Sequence, residues 1–214
     1  MTRTSEAVTQ QAIVLASPAE EPALSFHKAV SNRRTIREIA ADPQTLVQLS
    51  NLYSAACGEN RKAGPFGQSG RTAASVSNSQ EIDLYVLLES GVYLYNAEAH
   101  RLDIVTAGDQ RPSVMNSRQG ICTKAPVQLI HVIDLDRLSH TDGFEEPGLQ
   151  NPEKQKFYYL ADTGIVAGNV YFYAAADGLA AWFHNCDKEA LRKILSIRPK
   201  QKVLFAQSVG WPAH

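Results

Sequence analysis

The run Val127-Gln128-Leu129-Ile130-His131-Val132-Ile133 gives the strongest indication of the fold, because it is strand-forming and lacks regular polar alternation. A strand of this kind is typical of the centre of a sheet, with both of its faces covered. Residues 157–176 are the most apolar long stretch, and residues 153–176 predict a helix of about 35 Å, at 1.5 Å per residue. Because this helix is apolar nearly all round, it must be covered by the monomer core or partly by a second subunit.

Shorter apolar runs predict the elements around that strand and helix. The turn at residues 96–98 indicates antiparallel pairing between its flanking strands, and Asp42-Pro43 predicts a helix start with Asp42 as the N-cap. The predicted strands are 82–88, 91–95, 102–105, 179–183 and 202–209, and the predicted shorter helices begin near 26, 42, 112 and 188. Together they indicate a three-layer α+β domain.

The chain divides into an N-terminal arm, residues 1–24, and a single domain, residues 25–214. The arm is expected either to fray or to lie along a neighbouring surface. Residues 58–80 and 139–152 are rich in Gly, Ser and Pro. The first predicts a long functional loop, and the second predicts another loop or a lid. Gly178 is expected to end the long helix.

Composition excludes several classes of function. With 214 residues and a net charge of −1, the chain predicts no nucleic-acid partner and no membrane partner. Its three cysteines are isolated and its six histidines show no ligand spacing, so no metal is expected. The apolar run at residues 13–16 is too short for the core of a signal peptide, which favours the cytoplasm.

Arg33-Arg34-Thr35-Ile36-Arg37 is the most distinctive polar segment, with three guanidinium groups and a hydroxyl in five residues. Guanidinium groups match phosphate oxygens in geometry and charge. The alternative is a solvated helix end, whose cations interact with the helix dipole. Local phosphate binding and simple solvation both stay open on this segment alone.

Residues 71–80 (RTAASVSNSQ), 91–95 (GVYLY) and 204–212 (LFAQSVGWP) follow the arginine segment in order. Together these stretches resemble the FMN-dependent nitroreductase-like family. The arginine segment is similar to its RRSxR motif and residues 71–80 to its R-T-A-P-S-x-x-N-x-Q loop. Residues 91–95 and the C-terminal segment resemble the subgroup related to azoline dehydrogenases, which form thiazoles and oxazoles. The resemblance runs from about residue 25 to the C-terminus.

This resemblance implies a three-layer nitroreductase-like α+β fold, with a central, mostly antiparallel sheet flanked by helices. It also implies a domain-exchanged homodimer with FMN at the subunit interface. The arginine segment would hold the phosphate, ribityl chain and pyrimidine end, and residues 75–80 would approach from the partner chain. The backbone at 184–185 would face flavin N5. The implied cofactor-binding residues are Arg33, Arg34, Thr35, Arg37, Ser75, Ser77, Asn78, Gln80, Gln119, His184 and Asn185.

The implied activity is ping-pong transfer of hydride from NAD(P)H through FMN to a small-molecule acceptor such as a nitroaromatic or quinone. No catalytic side chain is required, because the flavin performs the chemistry. Ala74 stands where the family usually has Pro, no Lys-Tyr pair typical of azoline oxidation is visible, and only residues 212–214 follow Gly210-Trp211. The alternatives are therefore a flavin-dependent dehydrogenase or oxidase of a dedicated, peptide-derived substrate, and a degenerate, non-catalytic flavin-binding dimer.

Overall fold

The structure is a computed structural model that describes residues 11–19, 24–64, 67–115, 124–141 and 147–213. Its strands are β1 (Ile13–Val14), β2 (Glu59–Arg61), β3 (Gly70–Arg71), β4 (Ile82–Leu88), β5 (Gly91–Asn96), β6 (Arg101–Ala107), β7 (Val127–Asp134), β8 (Ala180–His184) and β9 (Gln201–Gly210). Its helices are α1 (Phe26–Asn32), α2 (Leu46–Cys57), α3 (Leu135–Ser139), α4 (Pro152–Ala176) and α5 (Lys188–Ile194).

Seven of the strands form one sheet in the order β1-β6-β5-β4-β7-β9-β8, and every neighbouring pair is antiparallel. Strand β7 lies between β4 and β9, and all eight of its residues are buried. The prediction of a central strand covered on both faces is therefore confirmed. The predicted strands at 82–88, 91–95, 102–105, 179–183 and 202–209 are also confirmed, with ends that differ by no more than two residues.

Helices cover both faces of the sheet, as the three-layer prediction requires. On one face, Leu52 and Tyr53 of α2 and Val166 and Val170 of α4 pack against strand residues such as Leu129. On the other face, Leu191 of α5 and Leu195, the residue after α5, pack against apolar residues of β7 and β9. Because side chains alternate along a strand, one buried strand supplies both apolar layers.

The described part of the N-terminal arm lies along its own chain. Strand β1 pairs with β6 at the edge of the sheet, and the Leu15 N–H donates to the His100 carbonyl over 3.3 Å. The Ala19 N–H also donates to the side-chain oxygen of Asn51, over 2.9 Å. Residues 11–19 therefore extend the sheet by one short strand.

The predicted helix start at Asp42-Pro43 is wrong. Helix α2 begins at Leu46, and Thr45 is its N-cap. The Thr45 hydroxyl accepts a hydrogen bond from the Gln48 N–H, and the Gln48 side chain accepts from the Thr45 N–H. This reciprocal capping box satisfies two N–H groups at once, so it competes well with the Asp-Pro signal.

The segment predicted as one long loop, 58–80, contains more structure than expected. Strands β2 and β3 pair within it, and Val76–Asn78 forms a 3-10 turn. In place of a helix from 112, the structure has a 3-10 turn at Arg111–Ser113. The rest of that predicted helix, at residues 116–123, lies outside the described residues, as do residues 142–146 of the segment 139–152, which was predicted as a loop or lid.

Helix α4 matches its prediction in position, and the described residues of its own chain cover only part of it. It spans Pro152–Ala176, and Gly178 follows it with a left-handed φ of 72°. Phe157 is 74% exposed, however, and a Cβ placed on Gly164 or Gly168 would meet nothing within 4 Å. One side of this helix is therefore uncovered by the described residues of its own chain.

Candidate functional site

The arginine segment is extended because α1 ends at it and β8 holds it. The Arg33 N–H closes α1 by donating to the carbonyls of Ala29 and Val30. The Ile36 N–H then donates to the Ala181 carbonyl of β8 over 3.1 Å, and the Ile36 side chain packs into a small apolar cluster that includes Trp182. With Ile36 facing inward, its neighbours on either side face outward and are exposed.

Two aromatic rings support two of the arginines. The Arg33 guanidinium carbon lies 5.5 Å from the ring centre of Tyr171 on α4, and that of Arg37 lies 5.9 Å from the ring of Trp182 on β8. A guanidinium over an aromatic face is stabilised by about 0.5–1 kcal/mol at exposed sites. The arginines are therefore held against the protein surface.

The arginine segment also has no internal counter-charge in the part of the chain that the structure describes. There, no carboxylate lies within ion-pair distance of Arg33, Arg34 or Arg37. The Thr35 hydroxyl between them lies 3.1 Å from the Tyr171 hydroxyl. Three like charges so close together repel one another, and an anion bound between them would relieve that repulsion.

His184 is the last residue of β8, and its ring centre lies 4.4 Å from that of Trp182, the ring that supports Arg37. Burial lowers the pKa of His184, so the neutral ring is favoured. The ring nitrogen Nδ1 lies 2.6 Å from the Asn185 carbonyl, and Nε2 lies 2.8 Å from the Ser208 hydroxyl. A neutral ring has a single N–H, and because a carbonyl can only accept, that N–H is on Nδ1.

The Ser208 hydroxyl must then donate to His184 Nε2, and its oxygen is left to accept. The side-chain amide of Gln128 lies 2.8 Å from that oxygen, and the Gln128 nitrogen has no other partner among the described residues. With the amide turned so that its nitrogen faces Ser208, His184 and Ser208 are both satisfied, and the Gln128 oxygen takes the position that has no partner among the described residues. These hydrogen bonds, from Gln128 through Ser208 to His184, hold the Asn185 carbonyl in place, while the Asn185 side chain is exposed.

The second predicted group, residues 75–80, is shaped by its own hydrogen bonds. The Gln80 side chain accepts from Arg71 Nε over 2.6 Å and donates to the Ser69 carbonyl over 2.7 Å. The Asn78 side-chain nitrogen donates to the same carbonyl over 3.0 Å, and the Ser75 hydroxyl accepts from the Gln80 N–H over 2.9 Å. These side chains therefore maintain the loop, and their direct contact with a cofactor stays a prediction.

This loop adopts a strained backbone. Ser77, Asn78 and Gln80 have left-handed φ values of 46°, 57° and 48°. Non-glycine residues adopt this conformation only where surrounding contacts compensate for its cost, and such residues cluster at functional sites. The strain is consistent with a loop whose shape serves binding.

The buried carboxyl group of Glu81 is hydrogen-bonded to the loop. The Ser79 hydroxyl donates to Glu81 over 2.6 Å, and the Val76 N–H donates to Asp162 of α4 over 3.0 Å. Burial, with Asp162 as a further contribution, raises the pKa of Glu81 to about 7. This carboxyl is therefore partly protonated at neutral pH.

A cavity of about 70 Å³ lies between the loop and the core, with Arg71, Cys57 and Asp162 in its walls. Burial raises the pKa of the Cys57 thiol to about 12, so the nucleophilic thiolate is scarce at neutral pH. Cys57 is therefore not an activated nucleophile.

The structure does not bring the two predicted groups together within one chain. The loop contacts α4 at Asp162, whereas the arginine segment contacts it at Tyr171. Nine residues of helix separate these two points, which corresponds to about 13 Å along the helix axis. One complete site would therefore need groups from two chains or a ligand that spans this distance.

Sequence reasoning missed two residues and left one untested. Tyr171 and Trp182 support the arginines, but their sequence neighbourhoods show only apolar helix and strand patterns. Gln119 lies outside the described residues, so its role stays a prediction.

In the described residues, no helix has both the length and the apolar character needed to cross a membrane.

Comparison with known proteins agrees with this architecture. The model of the Nitroreductase family matches residues 30–211. A curated protein of Methanocaldococcus jannaschii, named as a nitroreductase, is 28% identical over 202 residues, which cover 87% of this chain and 91% of that protein.

Solved structures give the same result. One from Ralstonia eutropha JMP134, described as a nitroreductase, superimposes with a TM-score of 0.81 at 27% identity and covers 100% of this chain and 95% of its own. One from Anabaena variabilis has a TM-score of 0.71 at 16% identity, over 98% of this chain and 45% of its own, and shows the fold alone. The chain therefore belongs to the Nitroreductase family, a family of oxidoreductases whose members generally use a flavin.

Proposed function

We propose that this protein is an FMN-dependent oxidoreductase that passes hydride equivalents from NAD(P)H to a small-molecule acceptor, such as a nitroaromatic or a quinone, by a ping-pong mechanism. The observation that supports it most is the exposed arginine segment. Three guanidinium groups without a carboxylate partner in the described structure lie beside β8. This arrangement suits a phosphate-bearing cofactor far better than a solvated helix end.

The residues present fit FMN at its charged end. Arg33, Arg34 and Thr35 would hold the phosphate through charge-assisted hydrogen bonds, each contributing roughly 1.5–3 kcal/mol. Arg37, over the Trp182 ring, would place a fixed cation where negative charge develops on the ring system. When bound, FMN supplies the hydride-transfer chemistry. The hydrogen-bonded Asn185 peptide would contribute a rigid backbone that positions the cofactor without titrating.

We further propose that residues 25–214 act as one FMN-binding domain in a homodimer, with residues 75–80 of one subunit completing the site of the other. The separation of the two groups along α4 supports this arrangement. So does the uncovered side of α4, because contiguous exposed apolar surface marks an interaction site. The exposed apolar side chains of α1 and α4 are Phe26, Val30, Phe157, Tyr158, Leu160 and Ile165.

Gly164→Leu is expected to convert the dimer to a monomer. The new side chain meets nothing within the chain, since a Cβ on Gly164 has no neighbour within 4 Å. Replacing a glycine inside a helix also favours the helix by up to about 1 kcal/mol, so the monomer should fold. Multi-angle light scattering should therefore show a mass near one 23.5 kDa chain, while the wild type shows twice that mass.

Lys193→Leu is the control for Gly164→Leu, because it adds the same side chain to an exposed position of α5. It should leave the dimer intact. A Gly164→Leu protein that keeps the dimer mass would contradict the proposed interface, and a monomeric wild type would contradict the shared site.

The decisive experiment for the activity is a spectrum of the purified protein, followed by anaerobic addition of NADH or NADPH in a stopped-flow instrument. We expect flavin absorbance, rapid bleaching by a nicotinamide, and recovery when a quinone or nitroaromatic is added. A purified protein that neither retains FMN nor binds added FMN would contradict the proposed function.

The two alternative functions predict different stopped-flow traces. Slow reduction by both nicotinamides would favour a dehydrogenase or oxidase of a dedicated, peptide-derived substrate. However, Tyr93 and Tyr95 of the subgroup-like segment are buried in the core, so their role is packing. The internal bonding of Asn78 and Gln80 favours the other alternative, a non-catalytic flavin-binding dimer, which would bind FMN but transfer no electrons from either nicotinamide.

A further inference from the structure

We propose that Tyr171 is a positioning residue for the anion-binding segment: its hydroxyl holds Thr35 so that the Thr35 hydroxyl donates outward, to a phosphate oxygen. This inference rests on the proposed function, because the phosphate is that of FMN. It assigns a defined role to a helix residue that is remote in sequence from the arginine segment.

The Tyr171 hydroxyl joins three separate elements. It belongs to α4, it accepts a hydrogen bond from the Phe183 N–H of β8 over 2.9 Å, and it lies 3.1 Å from the Thr35 hydroxyl. Tyr171 is half-buried, whereas Thr35 is exposed. The contact therefore lies at the edge of the protein, with Thr35 on the solvent side.

The direction of the hydrogen bonds follows from counting protons. A backbone N–H can only donate, so the Tyr171 oxygen accepts from Phe183. The Tyr171 proton then needs an acceptor, and a phenolic hydroxyl is a better hydrogen-bond donor than an aliphatic one. The Thr35 oxygen is the acceptor within reach. Its own proton is left free, on the side of the hydroxyl that faces away from Tyr171.

The ring of the same tyrosine supports the adjacent cation. The Arg33 guanidinium lies over it, with 5.5 Å between the guanidinium carbon and the ring centre. A guanidinium held against a ring face keeps its N–H groups available at its edge. One side chain thus orients both a hydroxyl donor and a charged donor toward the same solvent-facing region.

The segment is also held on the far side of Thr35. The Ile36 N–H donates to the Ala181 carbonyl, two residues before Phe183 on β8. Thr35 therefore has little freedom to rotate away. Such preorganisation increases affinity because the donors need not be ordered when the ligand binds.

Tyr171→Phe tests the role, because it removes the hydroxyl and keeps the ring. The readout is the ratio of FMN affinity to riboflavin affinity, from fluorescence titrations of the flavin-free protein. Riboflavin lacks the phosphate, so a general loss of structure would weaken both ligands and leave the ratio unchanged. We expect the ratio to fall about tenfold, which corresponds to about 1.4 kcal/mol.

Tyr173→Phe is the matched control. It removes a hydroxyl two residues away on the same helix, one that bonds to the Gln48 carbonyl and to Asp177. We expect a comparable loss of thermal stability from both variants but an unchanged affinity ratio for this one.

Thr35→Val supplies a second, independent measurement. Since Tyr171 is proposed to act through Thr35, adding Tyr171→Phe to Thr35→Val should cause no further fall in the ratio. A wild-type ratio in Tyr171→Phe, or fully additive effects in the double variant, would overturn the inference while the proposed function stands. A wild type that binds no FMN overturns the proposed function, and this inference with it.

Discussion

Arg33→Ala is expected to abolish retention of FMN through purification while leaving the fold intact. Each charge-assisted hydrogen bond to a phosphate contributes roughly 1.5–3 kcal/mol, so losing the guanidinium should weaken binding between about tenfold and a hundredfold. The Arg33 side chain is exposed and has no ion pair in the described structure. Its removal costs mainly the contact with the Tyr171 ring, so it should lower the free energy of unfolding by no more than about 1 kcal/mol.

The measurements for Arg33→Ala are flavin absorbance per protein after purification and the dissociation constant of added FMN. Arg192→Ala is the control, because it removes an exposed arginine from α5, on a different face of the sheet. We expect wild-type flavin content from the control. Equal flavin occupancy in Arg33→Ala and the wild type would show that the phosphate assignment is wrong.

The second large effect concerns the pH dependence of stability, in which two buried groups are expected to oppose each other. Burial lowers the pKa of His131, on β7, to about 4 and outweighs the Gln207 side chain, which favours the charged ring. Burial raises the pKa of Glu81, beside β4, to about 7. Each of these changes in pKa corresponds to a free energy of about 3 kcal/mol.

The signs follow from which state binds the proton. Below about pH 6.5 the unfolded chain protonates His131 while the folded protein does not, so the free energy of unfolding falls as pH falls toward 4. Glu81 behaves oppositely. Between about pH 4.5 and 7 the folded protein keeps its proton while the unfolded chain loses it, so the free energy of unfolding falls as pH rises. In the wild type the two contributions largely cancel between pH 4.5 and 7.

Two single variants should reveal the cancellation. In Glu81→Gln only His131 remains of the pair, and the free energy of unfolding should rise by about 3 kcal/mol from pH 4.5 to 7. In His131→Leu only Glu81 remains, and the free energy should fall by a similar amount. Urea titrations at several pH values measure both, and the double variant should restore the wild-type profile. Single-variant profiles parallel to that of the wild type would refute the assignment.

Local patterns in the sequence were sufficient for most of the architecture. Apolar runs and turn residues predicted the strands from β4 to β9 and the length of α4, because strand and helix periodicities involve residues only a few positions apart. The start of α2 was missed because the Asp42-Pro43 signal and the Thr45 capping box lie within three residues of each other, and only the actual hydrogen bonds choose between them.

The sequence by itself determined three features: the buried strand at the centre of the sheet, the long helix, and the arginine segment. Only the tertiary structure decided what surrounds that segment. Tyr171 lies 136 positions after Thr35, and no periodic pattern links residues that far apart. Likewise, only the tertiary structure showed that the Gln80 side chain bonds to Arg71 and Ser69, and that the described residues leave one side of α4 uncovered. The physical reason is that strand and helix signals are local, whereas contacts between elements depend on how the whole chain packs.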